Sequence, residues 1–78
     1  MTIAAGLTNS TGRSVNITGR TGGTVDISGS INDTGTGINV ASNTGGTIVF
    51  SNASKNLNTG ANQAVTLATN TGATINFT

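Results

Sequence analysis

Asn43-Thr44-Gly45-Gly46-Thr47-Ile48-Val49-Phe50-Ser51 is the stretch on which the fold turns. Asn-Thr-Gly-Gly is turn chemistry, because Gly reaches positive φ at no steric cost and Asn tolerates it. The residues after this turn alternate: Ile48 and Phe50 lie on one face, Thr47, Val49 and Ser51 on the other. That is the period-two pattern of a half-buried strand. The same wording returns at residues 70–78 (Asn-Thr-Gly-Ala-Thr-Ile-Asn-Phe-Thr) and at residues 21–28 (Thr-Gly-Gly-Thr-Val-Asp-Ile-Ser).

Working outward, each copy is preceded by a second alternating segment at residues 14–18, 37–41 and 64–68, with apolar Val15/Ile17, Ile38/Val40 and Val65/Leu67. The step from Val15 to Val25 is repeated without change from Ile38 to Ile48 and from Val65 to Ile75. A third, shorter element carries Leu7, Ile31 and Leu57, followed by turn residues at 9–12, 33–35 and 59–60. Asp33 reads as the opener of its turn. The unit recurs from Val25 to Ile48 and again from Ile48 to Ile75, a period of roughly 23–27 residues, within the range of solenoid repeats. The second interval is the longer one, and its extra residues are placed at 52–56, around Lys55. Ile3 stands as far before Leu7 as Ile27 stands before Ile31, so the chain both opens and closes on the repeated strand.

Three strands per circuit, all running the same way, predict an all-β chain folded as a parallel β-solenoid. A single segment spans residues 1–78, with circuits 1–24, 25–47 and 48–74 and a closing strand at 75–78. The predicted inward columns are Ile3/Ile27/Phe50/Phe77, Leu7/Ile31/Leu57, Val15/Ile38/Val65 and Ile17/Val40/Leu67. Outward columns are Thr24/Thr47/Thr74, Asn16/Asn39/Thr66 and Ser28/Ser51/Thr78; Thr21/Thr44/Thr71, Asn43/Asn70 and Gly22/Gly45/Gly72 fall at turns. A β-sandwich would also show short strands and turns, but the fixed step and the aligned columns favour the solenoid. A hexapeptide helix is disfavoured, since no six-residue apolar period is present.

Composition narrows the function. Charged residues are 6% of the chain and the net charge is +1. That balance leaves no electrostatic footprint for nucleic acid or an anionic membrane. The chain has no Cys, His, Pro or Glu, which removes disulfides, thiolate metal sites and the usual general bases. Asp26 and Asp33 are the only carboxylates, so no catalytic residue, cofactor or metal is expected, and the chain reads as a non-enzyme. Gly-rich residues 19–23 and 35–37 lack the Lys-Ser/Thr of a phosphate loop, and Gly22-Gly23 and Gly45-Gly46 lack the Gly-x-Asp of a calcium roll. Sequons at Asn9, Asn16 and Asn52 are what chance gives in an Asn/Thr-rich chain. No apolar run is long enough to span a bilayer, and the first residues lack the pattern of a signal peptide.

The wording Asn-Thr-Gly-[Gly/Ala]-Thr-Ile-x-Phe-[Ser/Thr] at residues 43–51 and 70–78, joined by Ser-Lys-Asn-Leu-Asn-Thr-Gly-Ala-Asn-Gln-Ala-Val-Thr-Leu, resembles the repeats of large secreted bacterial β-strand-repeat proteins. These are similar to autotransporter and filamentous-haemagglutinin-type adhesins. The resemblance implies a right-handed parallel β-helix, an extracellular or cell-surface location whose targeting signal lies outside this chain, and a stalk or spacer role. From the residues themselves comes a further expectation, that the end strands self-associate. Met1, Thr2, Ile3 and Ala4 at one end and Ile75, Asn76, Phe77 and Thr78 at the other are copies of one strand with open edges. One molecule is therefore expected to stack on the next head-to-tail in continuous register. The alternative partner is a ligand such as ice or a glycan, on the face carrying Thr24, Thr47 and Thr74; scarce aromatics weigh against sugar stacking.

Overall fold

The computed structural model describes residues 1–78 and contains ten short strands and no helix. In chain order they are β1 (Thr2–Ile3), β2 (Leu7–Asn9), β3 (Arg13–Thr18), β4 (Thr21–Ile27), β5 (Ile31–Asp33), β6 (Gly37–Ala41), β7 (Gly45–Phe50), β8 (Lys55–Leu57), β9 (Val65–Ala68) and β10 (Thr74–Phe77). They form three parallel sheets, ordered β1-β4-β7-β10, β2-β5-β8 and β3-β6-β9. Every third strand therefore lies on its predecessor, and the chain is a β-solenoid of about three turns, as the repeat predicts.

Alternation fills the inside of the column. Val15, Val25, Ile27, Ile31, Ile38, Val40, Ile48 and Phe50 form the buried core, with Ile3, Leu7, Ile17, Leu57 and Ile75 packed against it. Val15 aligns with Ile38 and Val65, and Ile17 with Val40 and Leu67. Ile3 aligns with Ile27, Ile27 with Phe50 and Phe50 with Phe77. The last pair stacks ring on ring, centroids 4.4 Å apart and planes within 11°, so like lies on like where the column repeats.

Three expectations need correction. Leu57 does not continue the Leu7/Ile31 column: Lys55 lies opposite Ile31, and Leu57 opposite Asp33. The extra residues of the third circuit are consequently not all at 52–56. Most follow β8, in a turn where Thr59 Oγ1 donates to the Asn62 carbonyl at 2.8 Å and Asn62 Nδ2 reaches the Gly35 carbonyl at 3.4 Å. The physical reason is that Lys55 has its own anchors. Its Nζ donates to the carbonyls of Asn52 and Thr78, while its methylene stem takes the half-buried place over Ile31. The second correction concerns the turn before the motif. Thr21 pairs with Gly45, and Thr44 N–H instead donates to the Arg20 carbonyl at 2.8 Å. The cause is one extra residue in β4 between Thr21 and Thr24, a bulge that re-aligns the strand by Thr24. The Gly22/Gly45/Gly72 column is displaced with it. Third, Val65, Leu67 and Phe77 point along inward columns but are 37%, 51% and 39% exposed, since no circuit lies beyond them in this structure.

Candidate functional site

The two faces that close the column top and bottom hold the predicted self-association residues, on opposite edges of the four-stranded sheet. At one edge Thr2 pairs with Asp26 and Ile3 with Ile27. Met1 is 70% exposed, although its amino group donates to the Thr24 carbonyl at 2.7 Å. Ala4 follows the strand and is exposed. At the other edge Thr74, Ile75, Asn76 and Phe77 pair with Thr47, Ile48, Val49 and Phe50. Thr78 lies just past β10, its N–H on the Phe50 carbonyl at 3.0 Å and its carbonyl accepting from Lys55 Nζ at 2.6 Å.

Both faces are apolar. Under β1 an open cavity of about 210 Å³ lies between Ile3, Leu7, Val15, Ile17, Val25 and Ile27. On the opposite face Val65, Leu67 and Phe77 are the large exposed hydrophobics. Each face also carries strand edges paired on one side only, a row of free amide and carbonyl groups that another strand can continue.

No protein-family model, curated protein or solved structure matches the chain.

Thr24, Thr47 and Thr74 do form one aligned column on the side of the four-stranded sheet; Thr24 and Thr74 are exposed and Thr47 is half-buried. The outward column two residues along is Asp26, Val49 and Asn76, which mixes charge, hydrocarbon and amide. Asp26 is engaged within the sheet, accepting from Ser51 Oγ at 2.7 Å. On the face of β3, β6 and β9, Asn39 Nδ2 donates to Asn16 Oδ1 at 2.8 Å, the one amide-to-amide rung of that outward column.

Two polar side chains are buried outright. Asn43, predicted at a turn beside Asn70, is the tie between circuits. Its Oδ1 accepts from Arg20 N–H at 2.9 Å, and its Nδ2 donates to Asn70 Oδ1 at 2.9 Å and to the Ile17 carbonyl at 3.2 Å. Asn70 Nδ2 in turn donates to the Val40 carbonyl at 2.8 Å. Asp33 is fully buried, which composition did not reveal, although the Asp33-Thr34-Gly35 turn was legible. Its Oδ1 accepts from Gly35 N–H at 2.6 Å and from Asn9 Nδ2 at 3.4 Å, and its Oδ2 from Ser14 N–H at 3.1 Å. Burial pushes this carboxyl upward, but the donors at Ser14, Gly35 and Asn9 outweigh burial and hold it below the ordinary value of 3.8. The buried Ser14 Oγ makes no hydrogen bond of normal geometry, although it lies beside the Asp33 carboxylate and favours its charged form. This arrangement pins a turn; its lone pairs are spent on the Gly35 and Ser14 N–H groups and the Asn9 amide.

Asp26 and Asp33 stand on different sheets, and no three His, Cys, Asp or Glu side chains gather into a metal-binding group. No helix is long and apolar enough to cross a membrane.

Proposed function

We propose that this chain is a structural, non-catalytic β-solenoid segment whose work is to extend a column, as a stalk or spacer of an extracellular or cell-surface bacterial protein, and that copies of it stack head-to-tail. The observation that carries the reading is the pair of apolar end faces, each with one-sided strand edges in the same sheets that already pair circuit on circuit. A flat apolar layer rimmed by unpaired amides is poorly served by water or by a small ligand, and well served by another β-circuit. Continuation by further circuits of a longer polypeptide would cover the same faces. The bacterial surface setting rests on the repeat wording alone.

Electron microscopy and light scattering of the 78-residue chain test the stacking. Filaments with a repeat of about 4.8 Å along the axis are the expected outcome; a concentration-independent monomer overturns the reading. The aligned Thr24/Thr47/Thr74 column supports a second reading, an ice-binding or glycan-binding face. Its irregular neighbour Asp26/Val49/Asn76 weighs against a lattice match. Thermal hysteresis is expected to be absent from solutions of the chain; appreciable hysteresis would reverse the ranking.

A further inference from the structure

The strand count places a constraint on stacking that a simple head-to-tail picture does not meet. The sheet containing the repeated motif has four strands, β1, β4, β7 and β10, while the other two have three each. Each circuit climbs one strand spacing, about 4.8 Å. Suppose β10 of one copy merely adds to the edge of β1 of the next. The four-stranded sheets then run on, but each of the other sheets lacks a strand at the joint. β9 of the first copy and β3 of the second would be about 9–10 Å apart, two strand spacings. Leu67 and Val65 would remain uncovered, as would Ile17 across the gap. Edge addition thus leaves one strand too many in the four-stranded sheet at the joint and does not carry the register through the other two sheets.

One arrangement removes the duplication. We propose that β1 is a replaceable strand, and that β10 of a second copy takes its place on β4 when copies join; this rests on the stacking reading above. All three sheets then continue at single spacing across the joint. By the register within the molecule, Ile75 of the incoming copy lies on Val25, Asn76 on Asp26 and Phe77 on Ile27, while its Val65 and Leu67 lie on Val15 and Ile17.

The two strands are unequal competitors. β1 pairs through two residues, β10 through four. The backbone donors that now hold β1 are Asp26 N–H, on the Met1 carbonyl at 2.8 Å, and Ser28 and Gly29 N–H, on the Ile3 carbonyl at 2.9 and 3.2 Å. In the same register they would meet the Ile75 and Phe77 carbonyls of the incoming strand. Withdrawing Ile3 opens the cavity beside it, which Phe77, a larger side chain already 39% exposed, can fill. The Asn76 amide replaces Thr2 beside the Asp26 carboxylate, adding a donor to a charged acceptor. Met1, whose side chain is already exposed, is released with β1. The incoming strand keeps its own anchor, because Lys55 Nζ and the Thr78 carbonyl belong to one copy.

Because the chain has no cysteine, engineered disulfides report the joint directly. Chains carrying T24C are mixed with chains carrying T74C under mild oxidation. Within one molecule these positions are two strands apart, about 9–10 Å, beyond disulfide reach of about 7 Å, whereas strand replacement sets them side by side across the joint. A parallel mixture of T2C with N76C reports simple edge addition. The expected result is a 24–74 heterodimer and no 2–76 heterodimer. A 2–76 link without a 24–74 link overturns replacement and leaves stacking standing; neither link, with no association by light scattering, overturns both. Deleting Thr2, Ile3 and Ala4 gives a second readout. Removing the competitor is expected to lower the concentration needed for assembly by about tenfold or more, since a site occupied by its own strand is available only a fraction of the time. An unchanged or higher concentration overturns the proposal.

Discussion

Asn43 and Asp33 show how a chain with five charged side chains, Arg13, Arg20, Lys55, Asp26 and Asp33, holds its turns without ion pairs. In each case a short polar side chain enters the column and spends its hydrogen-bonding capacity on backbone groups of its own turn or of the preceding circuit and on one neighbouring amide side chain, Asn70 for Asn43 and Asn9 for Asp33. Replacing Asn43 with Ala strands the Arg20 N–H and the Ile17 carbonyl, and is expected to cost about 2 kcal/mol in urea unfolding. Asp33 makes stability depend on pH in a defined direction. Its folded-state carboxyl lies below its ordinary value of 3.8. Its contribution is therefore complete above that pH and is lost as the pH falls through the lower folded value. Asp33→Asn is expected to lose stability at neutral pH, because an amide nitrogen would face one of the N–H donors. It should also flatten the fall in urea midpoint below about pH 4. An unchanged acid limb would mean that other groups govern it.

At the scale of the element, the strands lie so close that certain residues are dictated by the neighbouring backbone. Gly37, at the head of β6, has φ +81°, and a Cβ there would lie 1.9 Å from the Ala64 carbonyl oxygen. Gly12 has a comparable φ of +74° with open space around it. Comparing Gly37→Ala with Gly12→Ala therefore separates backbone conformation from close approach. Gly12→Ala is expected to cost about 1 kcal/mol, the left-handed penalty alone, and Gly37→Ala about 3 kcal/mol or more, as circuits two and three are pushed apart. Equal melting-temperature losses would show that the third circuit yields freely. The element boundaries follow similar logic. The bulge between Thr21 and Thr24 and the displacement of β8 both occur beside turns, where local hydrogen bonds to backbone carbonyls accompany the shift of register, and apolar spacing has nothing to say about those bonds.

For the whole molecule, the end faces dominate. Leu67 is half exposed within one copy, so Leu67→Lys should change the stability of the monomer by no more than about 0.5 kcal/mol. The same substitution would put a charge at the centre of the proposed joint and is expected to abolish association in sedimentation or light scattering. The net charge is only +1, and the proposed joint would be apolar and backbone-paired. Assembly should thus be nearly insensitive to salt between about 0.05 and 0.5 M, because screening has little to act on. Strong salt dependence would point to a different interface.

Much of this was legible in residues 43–51 and their copies. Ile48 and Phe50 alternate with Thr47 and Val49, and the step from Ile38 to Ile48 recurs from Val65 to Ile75. Together these determine a parallel solenoid, because side chains of period two on a repeating circuit can be buried together only by stacking. The Asn43/Asn70 and Asn16/Asn39 pairings were legible for the same reason, like residues recurring at like positions. Tertiary structure alone decided the rest. Lys55 took the place over Ile31 because Nζ found the carbonyls of Asn52, nearby in the chain, and Thr78, a full circuit away, a competition that no spacing encodes. Asp33 became buried because Asn9, Ser14 and Gly35, brought from two circuits, supplied its donors together.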